Sequence, residues 1–309
     1  MTNYKKALVT GGAGFIGSHI AGKLLERGIE TVVLDDLSVG QEENIPKSAQ
    51  FMKGDVCNSE IVRKALVGVD IVFHEAARVS IRDSFRGFVD DVRTNVMGTV
   101  MLLDCMKESG VKRFIYASSM AVYGDAKYLP IHERHPVEPT SPYGVSKLAS
   151  ERYVLCFCKQ LGADPVILRY FNTYGPKQTF SPYVGVITIF IKKLLKEEDL
   201  SIFSDGNQVR DFINVDDVAT ANVAAMDYKG SSQIFNVGTG TGTTINSLAA
   251  FLKTMTNKAN KINYSPPQPG EPSSSVADVV LAKEELGFIA RWSLKEKLGE
   301  VIEWNTKHM

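Results

Sequence analysis

The chain has 309 residues, and its 35 basic and 35 acidic side chains cancel. That length suits one large α/β domain or two smaller ones with a sizeable core. Balanced charge leaves no electrostatic footprint for nucleic acid or an anionic membrane surface. The cysteines Cys57, Cys105, Cys156 and Cys158 are too few and scattered for a disulfide framework. No His or Cys cluster has metal-ligand spacing, so no metal is expected. A reduced, cytoplasmic setting fits this usage. Lys5 and Lys6 precede an apolar run as in a secretion signal, but Gly11, Gly12, Gly14 and Gly17 break it, which favours strand, turn and helix. No apolar run reaches the ~18 residues of a membrane span.

In chain order, "KALVT" reads as a strand and "GFIGSHIAGKLLERG" as a helix ended by Gly28. "TVVLD" is a second strand. "SEIVRKALVG" is a helix capped by Ser59, and "DIVFH" a strand. "DDVRTNVMGTVMLLDCMKESG" is a long helix ended by Gly110, followed by the strand "RFIYAS". A helix opening at "SPYGVSK" leads to the strand "DPVILRYF". Strands apolar on both faces, alternating with helices, predict a parallel sheet buried between helix layers. After about Asn172 the alternation loosens. "GVITIFIKKLLKEE" is a helix, "LSIFSDGNQVRDFINV" two short strands around an Asp-Gly turn, and "VDDVATANVAAMDY" a helix capped by Asp216 or Asp217. "YSPPQPGEP" is a loop, and two short helices close the chain.

Three motifs carry chemistry. Gly11, Gly14 and Gly17 lie between a strand and a helix, where glycines let the backbone approach a pyrophosphate and the helix N-terminus offers free N–H groups. Asp35 ends the next strand. There it can bind an adenosine ribose and repel a 2′-phosphate, which favours NAD over NADP. Ser118 and Ser119 end a strand on the side of an open α/β sheet where ligands bind. Tyr143 and Lys147 share one helix face. A nearby cation favours phenolate, so Lys147 is expected to lower the Tyr143 pKa and give a general base usable near neutral pH.

Together the glycine loop, Asp35, "SSMAVYG" and "YGVSK" resemble the extended short-chain dehydrogenase/reductase family, and within it the nucleotide-sugar branch of UDP-hexose 4-epimerases. The likeness runs nearly end to end through "GDV", "HEAA", "NVMGT", "RYFNTYGP", "QVRDFINVDDV", "FNVGTG" and "PGE". It implies a doubly wound Rossmann sheet with a smaller α/β C-terminal substrate domain. The expected division is 1–172, with a returning segment at about 208–243, for NAD, and 173–207 with 244–309 for the substrate. It also implies tightly bound NAD. Gly11, Gly14 and Gly17, with the Phe15 and Ile16 backbone N–H groups, would hold the pyrophosphate, Asp35 the ribose, and Asp55 and Val56 the adenine. Ala76 would line the cofactor. Tyr143 would be the base, Lys147 would bind the nicotinamide ribose, and Ser119, with Ser118, would meet the sugar. Asn172 and Arg210 would take the substrate diphosphate, Phe203 would lie near uracil, and Glu271 would hold the uridine ribose.

Where related dehydratases and decarboxylases carry an acid just after Ser119, this chain has Met120 and Ala121, which move no proton. That favours simple epimerisation of UDP-glucose and UDP-galactose. Two departures stand out. Gln268 replaces an arginine of the epimerases, and Val79 and Ser80 occupy the neighbourhood of a lysine found in some of them. Ser275 falls where a bulky aromatic would exclude an N-acetyl group, so UDP-N-acetylhexoses are expected to fit too. UDP-glucuronate 4-epimerase is the alternative within the branch, and a non-catalytic NAD-binding regulatory protein the alternative outside it. In the family, the helices around Asn95–Met106 and from Tyr143 pair across a homodimer, which is expected here.

Overall fold

The computed structural model describes residues 4–179, 185–267 and 272–308. Gln268, Gly270 and Glu271 lie outside them. The first half alternates as expected: β1 (Lys6–Thr10), α1 (Phe15–Glu26), β2 (Glu30–Asp35), β3 (Gln50–Lys53), α2 (Ser59–Ala65), β4 (Ile71–His74), α3 (Ile81–Ser84), α4 (Phe88–Val92), α5 (Gly98–Cys105), β5 (Arg113–Ser119), α6 (Pro142–Leu161) and β6 (Asp164–Tyr170). There follow β7 (Asn172–Tyr174), α7 (Val186–Leu195), β8 (Leu200–Phe203), β9 (Val209–Asn214), α8 (Val215–Asp227), β10 (Ile234–Val237), β11 (Gly242–Thr244), α9 (Ile245–Thr256), β12 (Ile262–Ser265), β13 (Ser274–Ser275), α10 (Val280–Glu285) and α11 (Leu294–Lys307).

The main sheet runs β10-β6-β5-β4-β1-β2-β3, and every pairing is parallel. Strand alternation sends Val9, Val33, Phe73 and Ile115 toward α1 and α8. Leu8, Leu34, Val72 and Phe114 point the other way, into a second buried cluster with Leu102 of α5 and Val154 of α6. Both faces are therefore dry, which is why the strands read as unbroken apolar runs. Chain direction across the sheet reverses between β1 and β4, and that switch point opens a crevice at the carboxyl ends. In the second half, α7, α9 and α11 enclose a separate cluster around Phe190, Leu248 and Leu298.

Several local expectations are corrected. Asn58, not Ser59, caps α2, its Oδ1 accepting the Glu60 and Ile61 N–H groups at 3.0 and 3.3 Å. Asn214, not Asp216 or Asp217, caps α8, accepting from the Asp216 N–H at 2.9 Å. Asp217 instead receives the Arg291 and Trp292 N–H groups, and Asp216 pairs with His19. The "SDG" segment is no hairpin: β8 pairs with β12, while β9 pairs with β7, β11 and β13. The long helix is α4 and α5 joined by a π-helical turn at Arg93–Met97, and it gives way to a 3₁₀ turn before Gly110. Strands β3, β7, β10, β11, β12 and β13 and helices α3 and α9 have no counterpart in the sequence reading, and β12 takes up Tyr264 and Ser265 of the expected loop. β3 is a half-exposed edge strand without a clean apolar pattern. β10 has only four residues.

Candidate active site

The glycine loop is sterically committed to its shape. Gly11 has φ +68, and a Cβ there would lie 2.7 Å from the Ala76 N atom. A Cβ on Gly17 would lie 2.3 Å from the Gly11 carbonyl oxygen, and one on Gly14 would lie 3.0 Å from the same atom. Phe15 and Ile16 open α1, so position alone leaves their N–H groups without helical acceptors. Asp35 stands beside this cradle. Its carboxylate accepts the Ala13 N–H at 3.0 Å and the Leu37 N–H at 2.8 Å. Burial raises its pKa against those two bonds. Val56 is buried, and Asp55 accepts from the Cys57 N–H at 2.8 Å and from Arg93 at 2.5 Å. Burial opposes ionisation of Asp55, but these two donors outweigh it and its pKa falls. Ala76 is fixed by its N–H on Thr10 Oγ1, which also bonds His74. Cradle, helix N-terminus and terminal carboxylate together fit a dinucleotide.

Ser119, Tyr143 and Lys147 meet at the carboxyl end of β5. Ser141 caps α6 through the Gly144 N–H at 3.1 Å, and Pro142 starts the helix. Gly144 is needed because a Cβ there would sit 2.5 Å from the Ala121 carbonyl oxygen. This close approach carries Tyr143 into the crevice, where its N–H also donates to Ser84 Oγ at 3.2 Å. The Ser119 hydroxyl faces the Tyr143 phenol and favours its ionised form. Lys147 Nζ donates to the Ala117 carbonyl at 2.8 Å and lies 6.0 Å from the Tyr143 ring centroid.

The expected depression of the phenol pKa is not what this geometry gives. Burial pushes Tyr143 up to about 12, with Ser119 opposing and the Asp91 and Glu75 carboxylates adding to the rise. Lys147 instead moves down to about 8, because burial outweighs the carboxylates of Glu75, Asp91 and Glu151. The cation is held on a backbone carbonyl rather than on the phenol, so desolvation decides both shifts.

Ser118 is a second correction. Its hydroxyl donates to Glu151 at 2.5 Å, in a buried cluster with Arg169, away from the crevice. Neighbouring strand residues face opposite ways, so only one of two consecutive serines can join Tyr143.

The residues expected at the substrate converge through the smaller sheet. Asn172 of β7 and Ser275 of β13 flank β9, which carries Arg210 opposite Ser275. Asn172 Nδ2 donates to Ser275 Oγ at 3.3 Å, and Ser275 is fully buried. Arg210 Nη1 donates to the Val209 and Ser273 carbonyls. Its neighbour Asp211 turns the other way, accepting from the Thr239, Gly240 and Ala277 N–H groups. Phe203 ends β8 with the Arg82 guanidinium 4.6 Å from its ring centroid. Glu271 lies outside the described residues.

Sequence reasoning missed the polar groups behind the site. Asp91 accepts from Ser146 and from Asn95, and Asn95 also binds the Arg78 N–H and carbonyl. Asn95 lies in the π-helical turn of "NVMGT", a motif whose letters give no chemical signal until the fold places them. Glu75 accepts from the Tyr170 hydroxyl at 3.0 Å. His74 bridges Thr10 at 2.7 Å and Thr99 at 2.9 Å, and burial drives it down to about 3, so it is a neutral structural link. No helix among the described residues is long and apolar enough to cross a membrane.

Residues 7–238 match the profile of the NAD dependent epimerase/dehydratase family. A UDP-glucose 4-epimerase of Thermotoga maritima, solved with UDP-glucose, is 39% identical, with a TM-score of 0.94 over 98% of this chain and 99% of that one. A UDP-N-acetylglucosamine 4-epimerase of Methanobrevibacter ruminantium, in complex with UDP-N-acetylmuramic acid, is 33% identical, with a TM-score of 0.94 over the whole of both chains (100% each). A UDP-glucuronic acid 4-epimerase of Bacillus cereus, bound to UDP-glucuronic acid and NAD, is 32% identical, with a TM-score of 0.92 over 98% and 100% of the two chains.

Proposed function

The chain belongs to the NAD dependent epimerase/dehydratase family, and from that premise we propose that it is a UDP-hexose 4-epimerase. It interconverts UDP-glucose and UDP-galactose, and accepts the N-acetylated pair. Ser119 facing the Tyr143 phenol, with Lys147 one turn further along α6, carries this reading.

The glycine cradle and the first turn of α1 hold the NAD pyrophosphate, and Asp35 holds the adenosine ribose. NAD bound there would supply the hydride acceptor and donor for the sugar C4. Ser119 Oγ orients the C4 hydroxyl, and Tyr143 Oη takes its proton and later gives it back. The phenol must lose its proton for this. A cation at the nicotinamide site would oppose the burial that holds Tyr143 near 12 in the chain alone. Lys147 adds positive charge and binds the nicotinamide ribose. Met120 and Ala121 supply no further acid, so the chemistry stops at epimerisation. Asn172 and Arg210 hold the diphosphate.

Ser275 supports N-acetyl acceptance because its side chain is small and tied back to Asn172. We place the cofactor domain at 1–172 with the return through about 208–243, and the substrate domain at 173–207 and 244–309. Within the return, α8 and β10 serve the main sheet and β9 the smaller one. We also propose a homodimer through the exposed Phe88, Val89 and Val92 of α4 and Val145 and Tyr153 of α6, and a cytoplasmic setting.

Proton NMR of the purified protein with UDP-glucose, UDP-N-acetylglucosamine or UDP-glucuronate in separate tubes tests the proposal. Galacto epimers are expected from the first two. Epimer only in the third tube would make the protein a uronate epimerase, and none in any tube, with NAD supplied, a binder. Tyr143→Phe should lose about 10²–10⁴-fold in rate with NAD retained.

A further inference from the structure

One acidic group at the floor of the site has no part in the scheme above. Glu75 follows directly on β4 at the carboxyl end of the sheet, beside the glycine loop. A Cβ on Gly11 would lie 2.9 Å from the Glu75 carbonyl carbon. His74 points into the α5 layer, and alternation turns Glu75 to the other side, toward Tyr170 and α8. Its Oε1 accepts from the Tyr170 hydroxyl at 3.0 Å, and that hydroxyl accepts from Asn222 Nδ2 of α8 at 2.7 Å. The chain Asn222–Tyr170–Glu75 is thus set in order by β6 and α8.

β5 runs between β4 and β6, so the Glu75–Tyr170 bond reaches across its end, where Ala117 receives Lys147 and Ser119 meets Tyr143. Charge on Glu75 is felt by both Lys147 and Tyr143. The ionisable groups facing it are Tyr170 from β6 and Lys147 and Tyr143 from α6. Asn222 stands behind Tyr170 on α8, and Asp91 of α4 and Glu151 of α6 bear on the same lysine. A half-buried acid in these surroundings is pushed up to about 7, chiefly by desolvation, with Tyr170 and Lys147 opposing.

We propose that Glu75 is a positioning residue whose carboxylate makes the protein prefer oxidised over reduced NAD, and whose protonation removes that preference. The inference rests on the epimerase reading. When a hydride, one proton with two electrons, leaves the sugar C4 for the nicotinamide, the ring's positive charge disappears. The sugar C4–O–H proton passes to Tyr143. An anionic Glu75 then loses an attractive partner, so hydride return is favoured while Glu75 is ionised. A neutral Glu75 gives no such bias. The intermediate would be longer-lived below the Glu75 transition than above it.

The test is the midpoint potential of NAD bound to the purified protein, equilibrated with a mediator dye and read from the reduced-nicotinamide absorbance, at pH 5.5 and pH 8. Glu75→Gln keeps the shape and an acceptor for Tyr170 but removes the charge. At pH 8 it should cut the preference for oxidised cofactor about tenfold, a rise of about 30 mV. At pH 5.5 wild type and variant should agree within about twofold. Tyr170→Phe removes the donor and leaves the charge, so the wild-type transition should move to higher pH. Equal potentials for wild type and Glu75→Gln at both pH values would overturn the inference and leave the epimerase reading standing. Failure of the wild type to bind NAD would overturn both.

Discussion

Arg169→Met tests how α6 is held in place. Arg169 and Glu151 are 1% and 0% exposed. They form two parallel bonds, Nε to Oε1 at 2.8 Å and Nη2 to Oε2 at 2.6 Å. Ser118 adds a third bond to the carboxylate, and the guanidinium lies 4.8 Å from the Tyr123 ring centroid. The pair ties α6 to β5 and β6 about two turns beyond Tyr143. Removing the arginine leaves a buried carboxylate with one hydroxyl donor. Two unit charges near 4 Å attract by about 4 kcal/mol at an effective dielectric of 20, and breaking a buried pair typically costs about 3–5 kcal/mol. With a urea slope of about 3 kcal/mol/M, the unfolding midpoint should fall by about 1–1.7 M. Circular dichroism and tryptophan fluorescence should be followed together at one fixed NAD concentration, since bound cofactor adds its own stability. The double variant Glu151→Leu/Arg169→Met removes both charges and should recover to within about 2 kcal/mol of wild type. A loss below about 1 kcal/mol for Arg169→Met, or a double variant no better than the single one, would refute the argument that an unpaired buried charge sets the cost.

Gly17→Ala forces a methyl against the Gly11 oxygen at 2.3 Å and the Gly12 Cα at 2.9 Å. Both neighbours are backbone, so the loop must move, and the purified protein should carry at least about tenfold less NAD at a cost of about 1–3 kcal/mol in stability. Glu75 is an acid raised from 4.5 to about 7, so the folded chain holds its proton where the unfolded one has lost it. Stability from this group is therefore full below about 4.5 and declines as pH rises to about 7. Glu75→Gln should be more stable than wild type by about 2–3 kcal/mol at pH 8 and equal near pH 4.5, read by urea titration. Ser275→Tyr must displace Asn172 from its 3.3 Å bond in a fully buried position. UDP-N-acetylhexose turnover should fall at least about tenfold more than UDP-glucose turnover, and equal loss of both would dismiss the size gate. Because Lys147 sits near 8, its cation is lost as pH rises, and turnover should fall on the alkaline side of that value.

Much of the frame was legible in the sequence because it is local. A strand, three spaced glycines and the start of a helix fall within a dozen residues, and steric demand at Gly11 and Gly17 allows little else there. Tyr143 and Lys147 are joined by helical spacing, and α6 starts where Ser141 and Pro142 say it should. The caps of α2 and α8 are also local, yet several capping residues stood side by side, and only backbone direction chose Asn58 and Asn214.

What remained hidden depends on partners distant in the chain. An Asp-Gly turn suggests a hairpin, but β8 buries its apolar face with β12 and β9 joins β7, β11 and β13, which no turn residue encodes. Ser118 and Ser119 are alike in sequence, and only the buried Glu151–Arg169 pair on one side and Tyr143 on the other give them separate work. The charge state of the site is likewise tertiary. Spacing on a helix put a cation beside a phenol, but desolvation by the whole fold, together with Glu75 and Asp91 from other elements, sets where Tyr143 and Lys147 titrate. The sequence by itself determined which groups are present and which share a helix face. The tertiary structure decided which of them face one another and how dry that place is, because burial and long-range pairing are properties of the assembled sheet and not of any short stretch of chain.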